Sequence, residues 1–275
     1  MVPEQESGQA RYTHGHSESV LRSHRWRTAA NSAAYLLPHL GPGLSLLDVG
    51  SGPGTITAEL AGLVAPGRVA AVELTPEAAG LTRAELDRRG VARAEVAVAD
   101  VLALPFPDAA FDVVHAHQVL QHVADPVRAL REMARVARPG GLVAVRDSDY
   151  GGFVWHPGSA GLDRWLHWYY LAARANGGEP DAGRLLLAWA HQAGLREATV
   201  ATSTWCFATE EDRAYWGGMW ADRIVESALA AQLLASGTAT PAQLAEVAEA
   251  WRTWTASPDG WFSVLHCDLL VRIPR

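Results

Sequence analysis

The sequence predicts an α/β protein: a seven-stranded, mostly parallel sheet with helices on both faces, an N-terminal helix and helical lid insertions. Three observations predict it. Apolar strand-like runs alternate with helix-like runs from Leu44 to Asp147, and strands separated by helices imply right-handed βαβ units. The first of these strands runs straight into the glycines of LLDVGSGPGT, Leu46 to Thr55. Beyond Tyr150 the texture changes. Ten of the 11 tryptophans fall between Trp155 and Trp261, so the second half does not repeat the first.

The elements follow in order. Residues 1–16 form an N-terminal segment that is polar at its start. From Ser17 to Leu40, the residues Val20, Leu21, Trp26, Ala29, Ala33, Leu36 and Leu37 fall at helical spacing. Pro38, Gly41, Pro42 and Gly43 end that pattern. Strands are expected at 44–49, 68–74, 94–98, 111–115 and 142–147. Helices are expected at 55–64, 76–89 and 126–136, the last two opening on proline. RPGG, 138–141, is expected to turn into the fifth strand. Further on, 160–176, 183–193 and 208–256 read as helical, and 197–207 and 261–273 as strands. Residues 17–150 are therefore taken as the core. Residues 151–275 are taken as the rest of the same domain, with lid insertions at about 151–180 and 208–256, because no polar linker divides the halves.

Composition narrows the function. The chain has 275 residues, 49% hydrophobic and 19% charged, as expected of a globular enzyme. Its formal charge of −7 weighs against nucleic acid as a partner. All 23 basic residues are arginine, which excludes a lysine Schiff base and a lysine-bearing P-loop. No apolar run is long enough to span a membrane, and no secretion leader opens the chain, so a cytoplasmic protein is expected. Cys206 and Cys267 are expected in strands as buried free thiols.

The glycine loop asks for a nucleotide, and its neighbours say which kind. A dinucleotide fingerprint needs G-x-G-x-x-G, but here Gly50, Gly52 and Gly54 are spaced G-x-G-x-G, with Thr55 at the third fingerprint position. Asp48 ends the first strand beside the loop. A diphosphate is repelled by a carboxylate there, whereas an ammonium group is attracted. Glu73 ends the second strand, where a carboxylate accepts from both ribose hydroxyls. Asp100 follows the third strand, where it can meet an adenine amino group. Three acids at the carboxyl ends of three consecutive strands lie where open α/β sheets bind ligands.

With these residues in view, the chain resembles the class I S-adenosylmethionine-dependent methyltransferases, in particular the ubiquinone/menaquinone-biosynthesis branch. The resemblance lies in LLDVGSGPGT (46–55), VAAVELTPE (69–77), ADVLALPFPDAAFDVVHAHQVLQHVADP (99–126) and LREMARVARPGGLVAV (130–145). It covers about 17–147, implies a Rossmann-like fold, and is nearly silent about the methyl acceptor. It implies S-adenosylmethionine as cofactor and S-adenosylhomocysteine as product. By position, Gly50, Ser51 and Gly52 approach the methionine part, and Glu73 holds the ribose. Leu74 packs on adenine, Asp100 and Val101 read its edge, and His117, Gln118 and Val119 flank the methionine part and the sulfonium. The family often carries Asp where this chain has Glu73.

Candidates for chemistry and for the acceptor complete the reading. His122, in HQVLQHV after the fourth strand, is the first candidate general base, because imidazole titrates near neutral pH. In YTHGH, Tyr12 is expected near the sulfonium, and His14 and His16 as bases or acceptor contacts. Arg27 is expected at the cofactor carboxylate. Asp147 and Tyr150, leaving the fifth strand, are expected at the acceptor. Asp147 and Asp149 lack a third ligand in a matching place, so no metal is expected. From the tryptophan-rich half, Trp155 and Trp220 are expected to line an apolar pocket, with Trp165, Trp168, Tyr169 and Trp216 as further candidates. The function expected is methylation of O, N or C on a small, partly apolar molecule by a monomer or homodimer. A protein or RNA methyltransferase and a non-catalytic S-adenosylmethionine-binding module are the alternatives.

Overall fold

The computed structural model describes residues 26–91 and 93–275. Its centre is a mixed sheet. The first half alternates β1 (Leu46–Val49), α2 (Thr55–Val64), β2 (Val69–Glu73), α3 (Pro76–Arg88), β3 (Glu95–Val98), β4 (Phe111–His117), α4 (Pro126–Val136) and β5 (Ala137–Ser148). These strands pair in parallel in the order β3-β2-β1-β4-β5. The Thr75 and Asp125 side chains cap α3 and α4 by accepting the amides of Ala78 and Arg128.

The long β8 (Trp261–Arg272) runs antiparallel beside β5, with Leu142–Ser148 facing Arg272–His266. Its other edge carries β7 (Ala198–Phe207) over the full length. Where β5 stops, the short β6 (Val154–His156) pairs with Trp261–Ser263 of the same strand. The sheet thus has eight strands rather than the seven expected. A three-residue strand is too short to show a period of two, which is why β6 is not readable from the sequence.

Helices cover both faces. Leu60, Val64 and Leu86 of α2 and α3 pack with Leu46 and Val113 on one side. Leu130, Met133 and Leu186 of α4 and α6 (Ala182–Gln192) pack with Leu47, Val114 and Leu269 on the other. The remaining helices, α5 (Ala160–Ala175), α7 (Glu210–Glu226), α8 (Ala228–Ala235) and α9 (Pro241–Ala256), share a separate core. Trp165, Trp220, Trp251 and Trp254 are all buried there, with ring centroids 4.6–6.1 Å apart between neighbours.

Three expectations change. The helix expected over 17–40 is, within the described residues, a four-residue α1 (Ala29–Ser32) followed by turns and a 3-10 turn at Leu37–His39. The Thr28 side chain accepts the Asn31 amide, and Asn31 accepts the Thr28 amide. This capping box starts a helix where the apolar spacing predicted an interior. RPGG lies inside β5, which takes a register shift against β4 there. Of the two thiols, Cys267 is buried but Cys206 is exposed on the outer strand β7, and both are free.

Candidate active site

A cavity of about 250 Å³ opens where the strands of the first half end. The loop after β1 shapes one wall. Gly50, Gly52 and Gly54 all have positive φ, at 66°, 57° and 84°. A Cβ on Gly50 would stand 2.5 Å from Val119 Cγ2, so only glycine lets the backbone lie against the loop after β4. The Ser51 hydroxyl meets Thr82 Oγ1 at 2.9 Å, and Thr82 Oγ1 donates to the Gly52 carbonyl. These contacts tie the loop to α3.

Acids gather on this side. The Asp48 carboxylate accepts from Thr57 Oγ1 at 2.5 Å and pairs with His115 Nδ1 at 2.7 Å, all three buried. Glu73 accepts the amides of Gly52 and Leu74, and burial pushes its carboxyl up. Asp100 accepts the Leu102 amide. Asp48, Glu73 and Asp100 all line the cavity.

The loop after β4 forms the floor. Gln118 sits at φ 55°, a left-handed conformation rare outside glycine. Its side chain makes three hydrogen bonds. Oε1 accepts from Arg27 at 2.6 Å, and Nε2 donates to Ser148 Oγ and His266 Nε2, each at 2.8 Å. The His266 ring must then carry its proton on Nδ1, which faces the Val264 carbonyl at 3.0 Å. His117 is buried, and among the described residues neither ring nitrogen has a hydrogen-bond partner. Burial first, then Arg27, push its pKa well below the usual range. His122 is pushed down to about 3, by burial and then by Arg27.

The sequence candidates divide clearly. Gly50, Ser51, Gly52, Glu73, Leu74, Asp100, Val101, His117, Gln118, Val119, Arg27, His122, Tyr150 and Trp220 all line this one cavity, as does Trp216. Tyr12, His14 and His16 lie outside the described residues. Asp147 and Trp155 are not in the lining. Asp147 is wholly buried and accepts the Gln121 amide at 3.1 Å. It therefore props the turn that presents Gln121 and His122. Trp155 on β6 instead stacks on Phe262, with centroids 5.5 Å apart. Trp165, Trp168 and Tyr169 belong to the lid's own core. Asp149 is taken by Arg184. Among the described residues, no three His, Cys, Asp or Glu side chains gather where a metal could sit.

Several lining residues escaped the sequence reading: Trp26, Ser148, Phe153, Trp205 and Arg223. Two signals were there to find. Trp216, Trp220 and Arg223 follow at spacings of four and three, one face of a helix. Trp205 and Phe207 share one face of a strand that runs toward the cavity end of the sheet.

Comparison with known proteins agrees with this geometry. A family model described as "Methyltransferase domain" matches residues 47–145. An uncharacterized methyltransferase of Schizosaccharomyces pombe is 35% identical over 264 residues, covering 91% of this chain and 92% of the relative. A demethylmenaquinone methyltransferase of Roseiflexus castenholzii is 37% identical over 163 residues, 57% of this chain and 63% of its own. Among solved structures, a proposed methyltransferase from Bacillus halodurans aligns with a TM-score of 0.56 at 20% identity, covering 88% of this chain and 98% of that one. The chain belongs to the class I S-adenosylmethionine-dependent methyltransferases.

Proposed function

We propose that the chain methylates a small, partly apolar molecule enclosed between the glycine loop and the aromatic lid. The observation that carries this reading is the make-up of the cavity. One side is acidic and glycine-rich, and the other is walled by Trp26, Tyr150, Phe153, Trp205, Trp216 and Trp220. Such a wall suits a compact apolar ligand.

The first side fits S-adenosylmethionine. The Gly50 cradle has no room for a Cβ, and the half-buried Glu73 carboxylate keeps lone pairs to spare for hydroxyl donors. Gly50 to Gly52 would take the methionine part, Glu73 the ribose, and Leu74, Asp100 and Val101 the adenine. When bound, the cofactor supplies an electrophilic methyl group on a sulfonium. The chain's own task is alignment, which is worth roughly 7–11 kcal/mol in favourable cases. Gln118, fixed by three hydrogen bonds, holds the floor rigid between the two sides. His122 serves to line and orient: an imidazole with a pKa of about 3 is neutral at pH 7 and a weak proton acceptor.

Incubation with para-substituted phenols, naphthols and aromatic amines, followed by mass spectrometry, tests the small-molecule reading. It predicts a product 14 mass units heavier (one CH₂ added) from some member of such a set. Methylation only of protein or RNA would overturn it.

A further inference from the structure

Asp48, His115 and Thr57 form a buried polar group beside the glycine loop. β1 and β4 pair in parallel with Asp48 next to His115, so both side chains leave the same face of the sheet. That face is the one α2 packs on, and Thr57 belongs to α2. The Thr57 hydroxyl donates to Asp48 Oδ2 at 2.5 Å, and His115 Nδ1 meets Oδ1 at 2.7 Å. An ionised carboxylate only accepts, so Nδ1 carries the hydrogen. Nε2 is buried and has no hydrogen-bond partner among the described residues. His115 stands in the cavity wall, but its 0% exposure keeps a ligand off the ring. It can therefore act on a ligand only through Asp48.

We propose that His115 is a positioning residue for cofactor binding. Its N–H locks the Asp48 carboxylate as a fixed negative charge for the ammonium group of the methionine part. The inference rests on the reading of this side of the cavity as the S-adenosylmethionine site. Asp48 stands just before Gly50 and lines the same cavity. Its charge thus falls at the end where the methionine part is proposed to lie. A carboxylate at 2% exposure has lost most of its water and needs donors in its place. Thr57 and His115 supply one to each oxygen, which also fixes the plane of the group. Each oxygen keeps a lone pair for a ligand. A charge held before the ligand arrives costs nothing to orient when it binds. Without the His115 donor, the carboxylate is held at one oxygen and is free to turn.

The test measures binding to the full chain by calorimetry. The probes are S-adenosylhomocysteine and its deaminated analogue, in which hydrogen replaces the amino group. Failure of S-adenosylhomocysteine to bind overturns the methylation reading, and this inference with it. In the parent, S-adenosylhomocysteine is expected to bind at least about tenfold tighter than the analogue, the worth of one hydrogen bond between charged groups. Equal affinities overturn the inference alone. His115→Leu should remove most of that preference by weakening S-adenosylhomocysteine and not the analogue, whereas a merely structural role would weaken both. His115→Asn keeps an N–H near the place of Nδ1 and should retain the preference. A folded Leu variant with the full preference, or a folded Asn variant that loses it as completely, overturns the inference. The parent also gives a readout that needs no variant. The His115 Nδ1 proton should move further in the NMR spectrum with S-adenosylhomocysteine than with the analogue, and the same position with both overturns the inference.

Discussion

Gly50 must be glycine for two reasons. Its φ of 66° and the 2.5 Å approach of Val119 both exclude a side chain. Gly50→Ala is therefore expected to weaken S-adenosylhomocysteine binding sharply in calorimetry, and Val119→Ala in the same chain should restore only part, since the backbone conformation stays strained. Glu73→Ala removes the carboxylate proposed to accept from the ribose, and with it the anchor of the Gly52 amide. The expected loss is about 10- to 100-fold in affinity, the worth of one or two hydrogen bonds to a charged group. Asp147 makes a pH prediction. Burial raises its pKa from 3.8 to about 7, outweighing the amides of Gln121 and Leu120. An acid raised by folding binds its proton more tightly in the native chain. Its contribution is then full below about pH 4 and is lost as pH rises toward 7, on the order of 4 kcal/mol in all. Asp147→Asn should lose less stability than the parent between pH 4 and 7, read from urea midpoints. Equal losses would show that this carboxyl does not titrate there.

At the scale of elements, the parallel half was legible because each strand and helix declares its own period. Helices at Thr55–Val64 and Pro126–Val136 match the expected bounds residue for residue, the second from its opening proline. The acids Glu73 and Asp100 could be placed because a strand end fixes where a side chain emerges. The lid was less legible. A run of helical spacing over 208–256 gave helix, but not its division into α7, α8 and α9, nor which indoles face inward. Facing depends on how helices pack against one another, and tryptophan serves a core and a pocket equally well. Asp147 misled for a related reason. A strand-end acid reads the same whether it reaches a ligand or props a turn. Trp251 tests the division now drawn. It is wholly buried in the lid and absent from the cavity lining. Trp251→Ala is expected to cost about 3–5 kcal/mol of stability. S-adenosylhomocysteine affinity should stay within about twofold, as for independent sites.

For the whole molecule, the sheet order does the organising. Strands β3, β2 and β1 bring their acids to one flank, and β4 to β8 with the lid helices build the other. The ligand site falls where the order turns back on itself, between β1 and β4. No helix among the described residues is long and apolar enough to cross a membrane. The central claim is that the space beside the cofactor side belongs to a small molecule. Methyl-labelled S-adenosylmethionine, incubated with the protein and an extract of its source cells, tests it most directly. The label should appear in an organic-extractable small molecule, dependent on the protein and absent with Gly50→Ala. Label confined to protein or RNA would contradict the account of the acceptor.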